Sequence, residues 1–216
     1  MRENSSSSFH SGNFSAICDK LCAEDRVLAD IRVRYGDPPM WHRPPGFETL
    51  LRLILEQQVS LSSAQAAYLK LLDHCGEIRP ETLLKVPQDA WRPCYVSRQK
   101  ARYITALSEA VLSGTLNLEA LEHLPDAEIK TELEKLPGIG NWTSDVYVLM
   151  ALNRRDIFPI GDVALRTAMK ETIDDVAGFT HENLLAYADR WSPDRSVACY
   201  FFWHNYLSLR NRKPHY

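Results

Sequence analysis

Cysteine is scarce and poorly spaced for any framework. The five cysteines, Cys18, Cys22, Cys75, Cys94 and Cys199, are odd in number and form no CxxC pair. That argues against a disulfide scaffold, a zinc site or an iron–sulfur cluster, and fits a reducing compartment. Long apolar runs are also missing. None reaches the roughly 18 residues of a membrane-spanning helix, so no membrane partner is expected. The start, MRENSSSSFHSGNF, lacks the apolar centre of a secretory signal, and residues 1–13 are expected to form a disordered tail. Strand-like alternation is nearly absent. So is net positive charge: 25 Lys and Arg against 28 Asp and Glu leave −3, where a strongly basic balance is the usual footprint of a nucleic-acid partner.

What is present is helical periodicity. With 216 residues, 45% of them hydrophobic, the chain can bury a substantial core as one domain or two small ones. In FETLLRLILEQQVS, Phe47, Leu50, Leu51, Ile54 and Leu55 recur at helical spacing. LSSAQAAYLKLLDHCG repeats the pattern, with Gly76 placed to stop it. Further helices are expected near 15–34, 97–113, 126–135, 141–153, 163–173, 180–191 and 194–210, with Thr180 and Pro193 at cap and first-turn positions. The prolines of 35–46 mark an extended connection, and no linker cleanly separates two domains. The expected fold class is all-α, with residues 14–216 as a single body.

Two segments carry chemistry. In LPGIGNWTSD (136–145), Pro137, Gly138 and Gly140 turn the chain between two helical segments, giving a helix–hairpin–helix over about 126–153. Two glycines leave backbone amides uncovered, and the second helix directs its N-terminal N–H groups and dipole at an anion. A bare helical corner that needs glycine explains the same residues. In IFPIGDVALRTAMK (157–170), Asp162 precedes a helix after Pro159 and Gly161. It is a natural N-cap. The dipole there also stabilises a carboxylate that faces a developing positive charge, and the two roles are compatible. Arg92, Arg98, Lys100 and Arg102 cluster without an intervening acid, and LRNRKPHY ends the chain on a basic run; each alone reads first as a solvated helix face. His74, His123, His181 and His204 have no metal-ligand spacing, and Cys18 and Cys22 share a helix face.

LPGIGNWTSDVYVLMALNRRDIFPIGDVALRTA resembles the core of the helix–hairpin–helix DNA glycosylases, and within them the alkylpurine branch of the 3-methyladenine DNA glycosylase II type. LLRLILEQQVSLSSAQA is similar to that branch's "IL-x-QQ-x-S" junction, and WSPDRSVACYFFW to its "W-x-P-x-R-S-x-A" helix. The likeness covers roughly residues 40–205, in order. It implies a bilobed helical fold with a DNA-binding cleft and Asp162 as the catalytic aspartate. It further implies Trp142 and Trp203 as base-pocket aromatics, and DNA contacts through Leu136, Gly138, Ile139, Gly140, Thr143, Gln58 and Ser60, with Gln58 filling the gap left by an extruded nucleotide. Read from position alone, both tryptophans are equally explicable as core aromatics.

The chain departs from the pattern at several points. Larger relatives carry an N-terminal β-rich domain that this chain is expected to lack. YVSRQK stands where relatives have "G-x-S-x-x-K", and Val146 and Val163 stand at pocket positions that are often larger.

The resemblance also bears on chemistry. Bifunctional members place Lys where Trp142 stands, so a monofunctional hydrolysis with water as nucleophile is expected. Cys199 is the single cysteine near the C-terminus, against four in the iron–sulfur members. No catalytic metal or cofactor is expected, only a monovalent cation that the family's hairpin carbonyls can hold. The expected substrate is double-stranded DNA carrying alkylated purines, 3-methyladenine and 7-methylguanine among them, and the expected protein is a monomer. Its location would be the bacterial cytoplasm, with the nucleoid, or the eukaryotic nucleus. Two alternatives stand beside this reading: a glycosylase on the same scaffold for hypoxanthine or a mismatched base, and a non-catalytic DNA-binding protein using the hairpin alone.

Overall fold

The computed structural model describes residues 8–174 and 178–212. In chain order its helices are α1 (Phe14–Glu24), α2 (Arg26–Tyr35), α3 (Phe47–Glu56), α4 (Leu61–Cys75), α5 (Pro80–Leu83), α6 (Arg98–Leu112), α7 (Leu118–Leu121), α8 (Asp126–Glu134), α9 (Asn141–Met150), α10 (Val163–Thr172), α11 (His181–Ala188) and α12 (Arg195–Leu209), with a 3₁₀ turn at Asp189–Trp191. Among the described residues no strand forms beyond an isolated bridge between Ser8 and Arg154. The all-α expectation holds. No helix of the described chain is long and apolar enough to cross a membrane.

Most helix limits follow local chemistry. Ser60, Ser97 and Thr180 each accept a backbone N–H at the start of α4, α6 and α11. Gly76 ends α4 at φ 76°. The helix expected over 15–34 is instead two, because the Asp25 carboxylate takes the N–H groups of Val27 and Leu28 and starts a new helix there. Pro193 lies one residue outside the cap of α12 rather than in its first turn.

The chain divides into two compact units, and the boundary falls inside α9, between Tyr147 and Val148. The unit of residues 43–147 holds α3 to α8 and most of α9. Its centre is α3, where Leu50, Leu51, Leu53, Ile54 and Leu55 are all buried. α3 packs on α4 and α6, and α5 packs on α6. The other unit, residues 8–42 and 148–212 as described, is built around α12. Val197, Ala198, Cys199, Tyr200, Phe201 and Phe202 run consecutively and are fully buried, because α1, α2 and α10 surround that helix. The expected tail differs in part. Residues 1–7 lie outside the described residues, whereas Phe9 is 1% exposed and packs on Phe14 and Tyr200. The Phe9 N–H donates to the Asn153 carbonyl at 2.8 Å.

Candidate functional site

Asp162 caps α10 as its sequence position implies. Its Oδ1 accepts the Leu165 N–H at 2.8 Å, and the Asp162 carbonyl accepts the Arg166 N–H that opens the helix. The same Oδ1 accepts the indole Nε1–H of Trp203 from α12 at 3.1 Å. Trp203 is stacked on Tyr200 at 5.7 Å and meets Trp41 edge-on at 6.4 Å. Asp162 and Trp203 are both half-buried, whereas Val163, the next residue, is 65% exposed. A carboxylate is thus fixed by two N–H donors beside an aromatic surface.

The "W-x-P-x-R-S-x-A" residues hold the chain that leads to Asp162. Arg195 binds the Asp156 carboxylate through Nε at 2.7 Å and Nη2 at 3.0 Å. The Ser196 hydroxyl donates toward the Arg154 carbonyl at 2.6 Å and accepts the Ile157 N–H at 3.0 Å. Trp191 is buried, with its Nε1–H on Asp25 at 2.8 Å. Asp194, fully buried, accepts from Arg155 and Lys20. These residues position the Asp162 corner, and none of them was singled out individually from the sequence.

The hairpin lies in the other unit. α8 and α9 are tied by Lys130 to Asp145 at 2.5 Å and by the Ser144 hydroxyl to Glu134 at 2.6 Å. With its amide nitrogen turned inward, Asn141 donates to Glu134 as well, at 2.9 Å. Burial pushes the Asp145 carboxyl upward in pKa, against the pull of Lys130.

The two hairpin glycines have different reasons to be glycine. Gly138 has φ 86°, and a Cβ built on it falls 2.1–2.7 Å from the Tyr103 ring and its Cβ. The fold itself therefore excludes a side chain at Gly138, a reason for glycine that is independent of any phosphate. Gly140 lies outside the left-handed region, and a Cβ there meets nothing within 4 Å. No internal contact asks for glycine at that position. Its carbonyl accepts the Ser144 N–H, which makes it the cap of α9.

Other expected hairpin contacts resolve unevenly. Thr143 is 2% exposed, and its hydroxyl accepts from Gln57 at 2.9 Å, so this side chain serves the interior. Ile139 is 4% exposed, and its N–H goes to the Leu136 carbonyl; Leu136 is half-buried. Trp142, also half-buried, belongs to this unit and Trp203 to the other. Val146, at 3%, is core. Gln58 and Ser60 are exposed, and Gln58 has φ 58°.

The neighbour of Gln58 was missed. Gln57 Nε2 donates to the Gly138 carbonyl at 2.7 Å as well as to Thr143, tying the α3–α4 junction to the hairpin. From α6, Lys100 donates to the Leu55 carbonyl at 2.7 Å, with burial holding its ammonium below the usual lysine pKa. The doubled glutamine was the one available signal.

Comparison with known proteins gives the family. The model of the HhH-GPD superfamily of base excision DNA repair proteins matches residues 51–178. DNA-3-methyladenine glycosylase 2 of Escherichia coli is 27% identical over 169 residues, which are 73% of this chain and 57% of that protein, so this chain spans under three fifths of its length. The crystal structure of a Bacillus halodurans DNA-3-methyladenine glycosidase is 28% identical, with TM-score 0.77 over 92% of this chain and 93% of that one. A Schizosaccharomyces pombe 3-methyladenine DNA glycosylase in complex with abasic DNA is 23% identical and shares the fold, with TM-score 0.78 over 87% and 95%. The family model covers more than half of the sequence, and the chain belongs to the HhH-GPD superfamily of base excision DNA repair proteins.

Proposed function

We propose that this chain is a monofunctional DNA glycosylase that releases alkylated purines from duplex DNA. The observation that carries the reading is the Asp162 carboxylate, held at the start of α10 and hydrogen-bonded by the indole of Trp203. In a stacked duplex the glycosidic bond is out of reach, so the nucleotide must be flipped out at a cost of a few kcal/mol. Breaking the C1′–N bond sends its electron pair out with the base and leaves oxocarbenium character on the sugar. Asp162 faces that charge and stabilises it. Water then adds to C1′, and Asp162 takes up or directs its proton.

An N-alkylated purine already carries the positive charge that makes it a good leaving group, so no second carboxylate is required. The indole beside Asp162 favours an electron-poor ring by about 0.5–2 kcal/mol per cation–π contact. That is at most tens-fold in binding, and bond lability supplies the rest of the selection. The expected range is therefore broad. Trp142 stands where a lyase would need lysine, which supports hydrolysis that stops at the abasic site. Gly140, which is exposed and has open space where a Cβ would be, is the hairpin's best approach point for a phosphate. A monovalent cation held by carbonyls of the hairpin stays part of the proposal.

The test is base release from methylated duplex DNA, with the freed bases identified by chromatography. Release of 3-methyladenine and 7-methylguanine, with strands that break only after alkali and no borohydride-trapped adduct, is the expected result. Nicking with a trapped Schiff base would rule out the monofunctional reading. Activity restricted to a neutral lesion would rule out the alkylpurine one.

A further inference from the structure

One side of α6 braces two corners of the 43–147 unit. Lys100 donates to the Leu55 carbonyl near the end of α3 at 2.7 Å, and Tyr103, one turn further, has its ring against Gly138 in the hairpin turn. Gln57 joins those two corners directly. Its amide nitrogen, which carries two N–H donors, reaches the Gly138 carbonyl at 2.7 Å and the Thr143 hydroxyl at 2.9 Å. The contacts close a triangle of α3, α6 and the hairpin. Glu56 is fastened as well, since its carboxylate accepts from Arg43 at 2.9 and 3.1 Å.

Leu55, Glu56 and Gln57 are thus held from three different segments, and the chain turns immediately afterwards. Gln57 is half-buried, whereas Gln58, Val59 and Ser60 are exposed. Gln58 has φ 58°, and a residue with a side chain keeps to the left-handed region where its surroundings impose it. Here the triangle imposes it from one side and the Ser60 cap of α4 from the other. The corner is therefore an exposed side chain on a braced support, tied to the turn where a phosphate is proposed to approach.

We propose that Gln57 is a positioning residue for base extrusion. It locks the Gln58 corner against the hairpin, so that Gln58 presses into the duplex while the hairpin holds the backbone. The inference rests on the DNA glycosylase reading above. Extrusion costs pairing and stacking, and an inserted side chain offsets that cost only if its own support stays in place. Gln57 supplies the support without touching DNA. It does so through two neutral donors, which neither an ionised Glu nor a Met of similar length would offer.

The test uses the full chain and single-turnover release of 7-methylguanine from two duplexes. In one the lesion is paired with cytosine, and in the other it lies opposite a tetrahydrofuran abasic-site analogue. The second duplex has already lost the pairing, so its base is easier to extrude. Gln57→Met should lower the melting midpoint by about 4–8 °C and bind undamaged duplex as the parent does, because Tyr103 still holds the hairpin turn. Release from the paired duplex should slow about ten-fold, and the deficit on the unpaired lesion should shrink to about two-fold. Thr143→Val removes one of the two acceptors at nearly the same shape. It should show the same pattern at about three-fold, and it decides the matter if Gln57→Met does not fold. Equal losses on the two duplexes, or parental release of the paired lesion, would overturn the role while leaving the glycosylase reading intact. A parent chain that released base from neither duplex would overturn that reading first, and this inference with it.

Discussion

The starts of α9 and α10 are both helix N-termini reached through a glycine-containing turn, and they offer opposite things. At α10 the cap is Asp162, whose carboxylate is anchored by Leu165 and Trp203. At α9 the cap is Gly140, with no side chain and open space where one would be. Both use the positive end of a helix. In the proposed function one places a carboxylate beside the reacting sugar, and the other, with no side chain in the way, is where a phosphate would approach. On the proposed function the two helix starts serve reaction and grip separately, and mutations should separate them as well.

The largest effect belongs to the reacting corner. Asp162→Asn keeps an oxygen for the two N–H donors and caps a helix as well as Asp, so folding and duplex affinity should stay near the parent's. Base release should fall by about 10²–10³-fold or more in single-turnover assays, as when one electrostatic stabiliser is removed. Near-parental release would dissolve the contrast between the two helix starts. Gly138→Ala comes next, through stability. Left-handed strain plus overlap with Tyr103 should cost about 2–5 kcal/mol, read as a thermal midpoint lower by on the order of 10 °C. A variant that melted like the parent would show that Tyr103 yields.

Gly140→Ala sharpens the comparison because the fold has room for it. Its melting temperature should stay within about 2 °C, while affinity for any duplex, damaged or not, falls about ten- to a hundred-fold, on the scale of one lost charge-assisted hydrogen bond. Unchanged affinity would leave the hairpin a plain corner. The smallest effect is expected from Trp203→Phe, which keeps an aromatic face and removes the indole N–H. Release should drop only a few-fold, on the scale of one hydrogen bond of about 1 kcal/mol. A loss as deep as that of Asp162→Asn would mean that the indole, and not the helix start, holds the carboxylate in place.

What could be read from the sequence was whatever depends on neighbours in the chain. The stripe of α3, the caps Thr180 and Asp162, and the turn at Gly138 were all visible, because spacing and residue type decide them. Asp25 was passed over because its helix-like surroundings hid a cap that also takes the Trp191 indole, 166 residues away. The same distance problem hid Gln57, which reaches across 81 residues to Gly138, and Tyr103, whose ring decides that Gly138 must be glycine. Thr143 entered only through the resemblance, and the Gln57 partner that holds its hydroxyl inside is 86 residues away. Local pattern located the corners, and tertiary packing settled which atoms at each corner remain available.

α12 has a further property as a spacer of fixed length. Ser196 fastens the stretch 154–157 at one end, and Trp203 meets Asp162 seven residues later. Seven residues are close to two turns, about 10.5 Å, which brings both side chains to nearly the same side of the helix. A single residue inserted between them would rotate Trp203 by about 100° and carry it about 1.5 Å along the axis. In this stretch the chain can tolerate an exchange of one apolar side chain for another more readily than any change in the number of residues.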